Sequence, residues 1–379
     1  MKKLVFIGSH LGYPMDSTPL GGGAMVGLQL VRHWTRRKDF KLISIGSGAA
    51  SPDPNAEYIP IRTHARDGLV GLSELGYARF CREFEHRTTG YLADHATLFP
   101  VQDTVVVLND ISEGPDAARI AQLGYPILSI WHVDVVDFFN KMYLRDVLEP
   151  HRLTRAFDWL GRIGMNWAVP DLLRLVFEKQ HRTVQYSRLM AVPSRRMSET
   201  IARCYGRISR GFPRHGPAQP LESRLLVVPW GGWSEQAPDP AVQQEVRRLR
   251  TQYRLGPQTR ALITLSRISP EKGLHLLLEA LRLLEASPDF PAQELCLFLC
   301  GEPAFMRGGS YARRVHAEAR RLRRCRVFFP GYLSPIRKQA HFRLSNLFIS
   351  PSIHESYGLS NVEALRAGLP ILASDHSGV

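Results

Sequence analysis

Short apolar runs rich in β-branched residues alternate with longer stretches of helical period along most of the chain. That alternation is the pattern of a parallel α/β protein. In the first half the strand-like runs are residues 4–8, 41–46, 104–109, 126–131, 189–193 and 225–229. Helical periods fall between several of them, as at 24–36, where Leu28, Val31 and Trp34 recur at three-residue steps. Residues 141–186 interrupt the alternation with one long helical stretch mixing aromatic, aliphatic and basic side chains. It reads either as a helical insertion packed on the first domain or as an amphipathic surface that touches lipid or an acceptor.

A polar, proline-containing segment opens at Ser234, and residues 234–258 are expected to link two domains, 1–233 and 259–379. The alternation then restarts. Strands are predicted at 261–266, 295–300, 326–329, 346–350 and 369–374, with helices at 273–285, 311–324, 335–344 and 360–367. Five strands with intervening helices predict a second doubly wound, Rossmann-like parallel sheet. The fold class expected is therefore α/β with two such domains.

The 379 residues suffice for two domains, each with its own core. With 49 basic against 35 acidic residues the chain carries a formal charge of +14, which favours anionic partners such as nucleotide diphosphates or phospholipid head groups. Much of the excess sits in one run, Arg313, Arg314, Arg320, Arg321, Arg323, Arg324 and Arg326. At helical spacing this run covers the solvated outside of a helix, with peripheral membrane contact as the alternative. No zinc-finger, RNP-type or helix-turn-helix pattern accompanies the charge, so no nucleic-acid partner is expected. The five cysteines are scattered; Cys296 and Cys300 share one face of an apolar strand, and no second cluster completes a metal site. A reducing cytoplasmic location fits that usage, with the inner face of a membrane as a possible site of attachment. The five-residue apolar run near the start is too short for a signal peptide, and no stretch reaches spanning length.

Three constellations carry candidate chemistry. Gly21-Gly22-Gly23 lies between the first strand and its helix, where glycine lets backbone approach a ligand and the helix start offers N–H groups to an anion. A loop without a ligand is the alternative, and the spacing is not the dinucleotide fingerprint. In ITLSRISPEKGLHLLLEAL, Arg267 sits just past a buried strand and Lys272 five residues on, at the mouth of a helix. Both fall at the carboxyl edge of the sheet, and two cations there suit a diphosphate, with solvated charges at a capped helix start as the alternative. In SPSIHESYGLSNVEALRAGLPILAS, Glu355 lies in the loop after a strand and Glu363 about one turn into the next helix. Gly358, Leu359 and Ser360 between them place N–H groups at that helix start, and each carboxylate suits sugar hydroxyls.

These segments resemble the donor domain of glycosyltransferase family 4, retaining enzymes of the GT-B fold, in which two Rossmann-like domains face each other across a cleft. The likeness covers SRISPEKGLHLLLEAL, FPGYLSP and PSIHESYGLSNVEALRAGLPILAS, and extends into GGGAMVGLQL, SIWHVD, MAVPS and VVPWGGW. The resemblance implies that Arg267 and Lys272 grip the diphosphate of a UDP-, GDP- or ADP-sugar. Glu363 would hold the ribose, Glu355 the hydroxyls of the transferred sugar, and the N–H groups near Leu359 and Ser360 the phosphates. Gly22 and Gly23 would approach phosphate or acceptor, and His132 would face the sugar. It implies neither metal nor cofactor, and an acceptor that is a sugar, a lipid-linked sugar or a polysaccharide. Trp230 stands where the family often has asparagine, and after SDHSGV the family has further segments, so an incomplete C-terminal domain is expected. The alternatives are a non-catalytic nucleotide-sugar-binding homologue and a sugar-nucleotide epimerase of the same fold.

Overall fold

The computed structural model describes residues 1–14, 21–64, 69, 72–144, 147–165, 173–206, 219–231, 237–288, 290, 294–303 and 308–376. They form two compact units that divide between Trp230 and Gly231. Each unit is a parallel α/β sandwich of the kind the alternation predicts.

The first unit is built on seven parallel strands in the order β3-β2-β1-β4-β5-β6-β7. These are β1 (Lys3–Ile7), β2 (Lys41–Gly46), β3 (Glu57–Pro60), β4 (Thr104–Leu108), β5 (Ile127–Ile130), β6 (Leu189–Val192) and β7 (Leu225–Val227). Strand pleating sends alternate residues to opposite faces. Val5, Ile7, Val106 and Leu108 join one core with Phe80 and Phe84 of α2 (Glu74–Asp94) and Ile120 of α3 (Ala117–Gln122). Phe6 and Val107 point the other way and meet Val31 of α1 (Gly22–Trp34). Burial on both faces is why these strands read as continuous apolar runs.

The long stretch from 141 to 186 is not one helix. The chain closes α4 (Val135–Tyr143), restarts at α5 (Pro150–Arg162) with a proline in the first turn, and resumes in a π-turn over Arg174–Glu178 that runs into α6 (Lys179–Tyr186). Proline is tolerated at a helix start but not inside one, so Pro150 fixes the restart. Phe157 stacks on Phe177 with ring centroids 5.1 Å apart, which packs this insertion onto itself. Two further helices among the described residues of this unit are α7 (Arg195–Tyr205) and the single turn α8 (Leu221–Arg224).

The second unit opens with α9 (Asp239–Gln252), within the residues expected as a linker. The prolines and aspartate that suggested an exposed connection are helix-start residues here. Val242 and Leu249 are buried, and the helix packs on α12 (Pro335–Leu344), so the structure assigns α9 to the second unit. Five parallel strands follow in the order β10-β9-β8-β11-β12. They are β8 (Arg260–Leu265), β9 (Leu295–Cys300), β10 (Cys325–Gly331), β11 (Leu347–Ser350) and β12 (Ile371–Ala373). The helices between them are α10 (Leu274–Glu285), α11 (Gly308–Ala319) and α13 (Leu359–Arg366). Cys296, Phe298 and Cys300 face one core and Leu295, Leu297 and Leu299 the other. All five cysteines are buried free thiols. No helix among the described residues is long and apolar enough to cross a membrane.

Both sheets have one place where the chain, having built strands outward on one side, returns to the other. It lies between β1 and β4 in the first unit and between β8 and β11 in the second. In open parallel sheets, the loops leaving such a pair diverge and leave a crevice at the strands' carboxyl ends.

Candidate functional site

In the second unit the loops leaving β8 and β11 carry Arg267, Lys272 and Glu355. After Arg267 the chain makes a 3-10 turn over Pro270–Lys272 and enters α10 through Gly273, at φ 61°. Glycine adopts that left-handed conformation without steric cost. Space forbids a side chain as well: a Cβ on Gly273 would lie 2.0 Å from the Pro351 carbonyl oxygen. The two loops are therefore pressed backbone to backbone. The Glu271 carbonyl accepts hydrogen bonds from the N–H groups of Ile353 (2.8 Å) and His354 (3.3 Å).

That contact sets the ionic geometry. Lys272 Nζ donates to Glu355 Oε2 at 2.5 Å, with 13% and 18% of the two side chains exposed. Burial pushes the Glu355 carboxyl up, but Lys272, with smaller help from His376 and His354, more than reverses it and holds the group below the usual range. Arg267 Nη2 lies 3.4 Å from Glu271 Oε1, which also accepts from the Ser269 hydroxyl at 2.5 Å.

From Glu355 the chain reaches α13 through Gly358, at φ 76°, where a Cβ would meet the Asn361 amide nitrogen at 2.7 Å. Among the described residues no side chain caps this helix, so the first-turn N–H groups at Leu359 and Ser360 have no capping acceptor there. One turn on, Glu363 Oε1 accepts from Lys338 Nζ of α12 at 2.8 Å, again in a largely buried pair. Ser356 Oγ and Asn361 Oδ1 are buried with no hydrogen-bond partner among the described residues.

The residues expected to act separately are thus joined in ion pairs: Arg267 with Glu271, Lys272 with Glu355, Glu363 with Lys338. The sequence reading missed Lys338 and Glu271. Lys338 had only its place in a predicted helix as a signal, and its pairing spans 25 residues of sequence.

In the first unit, Gly22 and Gly23 open α1, and His132 follows β5. A Cβ on Gly23 would lie 2.8 Å from the His132 ring, so that glycine is needed for the close approach. Asn109, at the end of β4, joins them. Its amide nitrogen donates to the Gly23 carbonyl at 3.3 Å, which leaves its Oδ1 to accept from His132 Nε2 at 3.0 Å. His132 then carries its proton on Nε2 and presents Nδ1 as an acceptor. Burial pushes its pKa down to about 4, against the pull of Asp110, so the ring is neutral at pH 7. Trp230 packs against the same ring at 5.6 Å. His10, after β1, has Nδ1 3.6 Å from Asp110 Oδ2. Burial raises the Asp110 carboxyl, but His10 chiefly, then His132, bring it below the ordinary value. Sequence reasoning missed His10, Asn109 and Asp110; the polar pairs that end β1 and β4 were the available signal.

Two Rossmann-like parallel sheets in one chain, with polar residues gathered where each strand order reverses, define the GT-B class of fold. Comparison with known proteins agrees. Residues 245–379 match the family described as Glycosyl transferases group 1. The alpha-monoglucosyldiacylglycerol synthase of Streptococcus pneumoniae is 28% identical over 149 residues, 39% of this chain and 32% of that protein. The lipopolysaccharide 1,2-N-acetylglucosaminetransferase of Salmonella typhimurium is 30% identical over 135 residues, 35% of this chain and 34% of that one. The chain thus spans about a third of the length of these two relatives. Among solved structures, Anabaena HepE in complex with UDP-glucose superposes with a TM-score of 0.60 at 15% identity, covering 100% of this chain and 82% of that one. At that identity the likeness concerns the fold.

Proposed function

We propose that the chain is a retaining glycosyltransferase of family 4 that moves a hexosyl group from a nucleotide-diphosphate sugar to a hydroxyl acceptor. The observation that carries the reading is the pairing at the β8/β11 switch point. Lys272 and Glu355 sit beside an uncapped helix start, and Glu363 follows one turn later. Cation, carboxylate and free N–H groups match, in order, a phosphate, sugar hydroxyls and a second phosphate oxygen. Arg267 and Lys272 neutralise the diphosphate as it departs, Glu355 accepts from hydroxyls of the transferred sugar, and Glu363 accepts from the ribose. The buried Ser356 hydroxyl and Asn361 carbonyl oxygen are further polar partners for such a ligand. The match of residues 245–379 to a glycosyltransferase family supports the same assignment.

The chemistry proposed is displacement on one face of the sugar. The bond from the anomeric carbon to the phosphate oxygen breaks, and the acceptor oxygen forms its bond on that same face. The acceptor's proton passes to the departing phosphate oxygen. Cationic side chains and the α13 start carry the leaving-group charge, so the reaction is proposed to need neither metal nor cofactor. Neutral His132 serves as a hydrogen-bond acceptor through Nδ1, with Gly22 and Gly23 giving close backbone approach. Two relatives named for a glucosyldiacylglycerol and a lipopolysaccharide support a lipid-linked acceptor.

The test is nucleotide release from UDP-, GDP- and ADP-hexoses with lipid-linked and soluble acceptors, with NMR of the product's anomeric carbon. Retained configuration, and loss of most turnover in Glu355→Ala and Lys272→Ala, are expected. An inverted product would sink the retaining assignment, and near-wild-type rates in both variants would sink the site.

A further inference from the structure

A groove of about 560 Å³ lies between α10 and α11 of the second unit, and it takes no part in that reading. Its volume falls within the roughly 300–1,000 Å³ of small-molecule sites. His275, Glu279 and Arg282 line it at steps of four and three along α10. Arg314, Glu318 and Arg321 line it at the same steps along α11 and the turn beyond, so two polar stripes face each other. Leu276, 49% exposed, adds an apolar contact.

Most of the groove's charge cancels in pairs. Arg282 Nη2 lies 2.6 Å from Glu279 Oε1, and Arg321 Nη1 lies 3.0 Å from Glu318 Oε2. A carboxylate has about four lone-pair sites, so each can still accept from a hydroxyl. Arg314 is different: among the described residues it has no acidic partner. Beside it, the Tyr311 hydroxyl oxygen accepts from the backbone N–H of His275 at 3.1 Å and directs its own proton to His275 Nδ1 at 2.8 Å. His275 then carries its proton on Nε2, the ring's remaining polar edge. Burial, and after it Arg314, hold the ring below its usual range, so it is neutral at pH 7. A guanidinium without an acid and an imidazole N–H thus share the end of the groove at the α10 start.

We propose that this groove binds a small phosphorylated sugar or polyol. The phosphate sits at the α10 start, where the Arg314 guanidinium gives paired N–H groups to two of its oxygens and His275 Nε2–H donates to a third. The carbon body lies against Leu276, and its hydroxyls donate to Glu279 and Glu318. A phosphate dianion also offsets the repulsion between Arg314 and an imidazolium, so occupancy draws a proton onto His275. None of these residues is assigned to the transfer reaction, so the groove is a second site and stands or falls separately from it.

The experiment is calorimetric titration of the full 379-residue chain with glucose 6-phosphate, inorganic phosphate and glucose, alongside NMR titration of the histidine ring nitrogens. Saturable binding of glucose 6-phosphate, weaker binding of phosphate and none of glucose are expected, with the His275 pKa raised in the complex. Arg314→Gln, at an exposed position, should melt like the wild type and bind about tenfold more weakly or worse. Arg313→Gln, one residue away and outside the groove lining, should bind as the wild type does. Failure of glucose 6-phosphate to bind, or an unmoved His275 pKa on binding, would overturn the proposal. Equal affinity for glucose 6-phosphate and inorganic phosphate would overturn its sugar part. Binding that survives Arg314→Gln but is lost in Lys272→Ala would assign the phosphate to the β8/β11 crevice instead.

Discussion

Replacing Lys272 by methionine removes one half of the buried pair while keeping the length of the side chain. Two unit charges 2.5 Å apart attract by roughly 7 kcal/mol at an effective dielectric of 20. Most of that offsets the desolvation of both groups, so the pair itself adds little net stability. The variant loses the attraction and keeps the desolvation of Glu355, which points to a penalty of about 3 kcal/mol. That would lower the melting midpoint of the second unit by roughly 6–12 °C. The pH dependence separates this from a packing defect. With Lys272 present, the Glu355 carboxyl lies below its ordinary value of 4.5, so the pair's contribution holds above that pH and is lost as pH falls through the lowered value. Without Lys272, burial is the dominant influence and the carboxyl rises above 4.5. The variant's deficit should then be largest at pH 7 and shrink as the pH drops through the raised value and Glu355 takes up a proton. Adding Glu355→Gln should restore much of the loss, giving a coupling energy of about 2 kcal/mol in a double-mutant cycle. Denaturant unfolding at pH 7 and pH 4.5, resolved into one transition per unit, reads all of this. A deficit that is the same at both pH values, or no coupling between the two positions, would refute the reasoning.

Other outcomes follow from the same geometry. Gly273→Ala must carry a left-handed alanine, about 1 kcal/mol, and relieve a 2.0 Å contact with the Pro351 carbonyl. It should part the two loops, and hydrogen exchange should show faster opening at Ile353 and His354. His132, with its pKa pushed down to about 4, stays neutral while the unfolded chain takes up a proton below about 6.5. The first unit should therefore lose roughly 3 kcal/mol as pH falls from 6.5 to 4, and His132→Gln should flatten that slope; an unchanged slope would contradict the assignment. Lys338→Met should leave Glu363 in place but unpaired, weakening binding of a nucleotide diphosphate more than it slows turnover at saturating donor.

Much of the architecture was legible because both sheets are buried on two sides, and continuous apolar runs mark such strands. Strand β3 escaped notice for the reason the others were found: Glu57-Tyr58-Ile59-Pro60 is short and half exposed, and carries a charge and a proline. The expected linker failed because proline and aspartate serve equally in loops and in first helical turns, and only the buried spacing of Val242 and Leu249 tells them apart. In the site, strand ends and glycines fixed where Arg267, Lys272, Glu355 and Gly358 would lie. Their pairing was hidden, since it depends on a loop contact closed by Gly273 and on Lys338 arriving from a different helix. The His10–Asp110 contact and the Asn109 bridge from Gly23 to His132 are likewise products of sheet order, which single-sequence periodicity does not encode.

The central claim is that the second unit holds a nucleotide-diphosphate sugar at the β8/β11 switch point. Calorimetric titration of the chain with UDP, GDP and ADP, and with their hexose conjugates, tests it most directly. Saturable binding of one nucleotide series, lost in Lys272→Ala and Glu363→Ala while both variants still fold, is the expected result. No binding by any of the three series, or binding that ignores both substitutions, would contradict it.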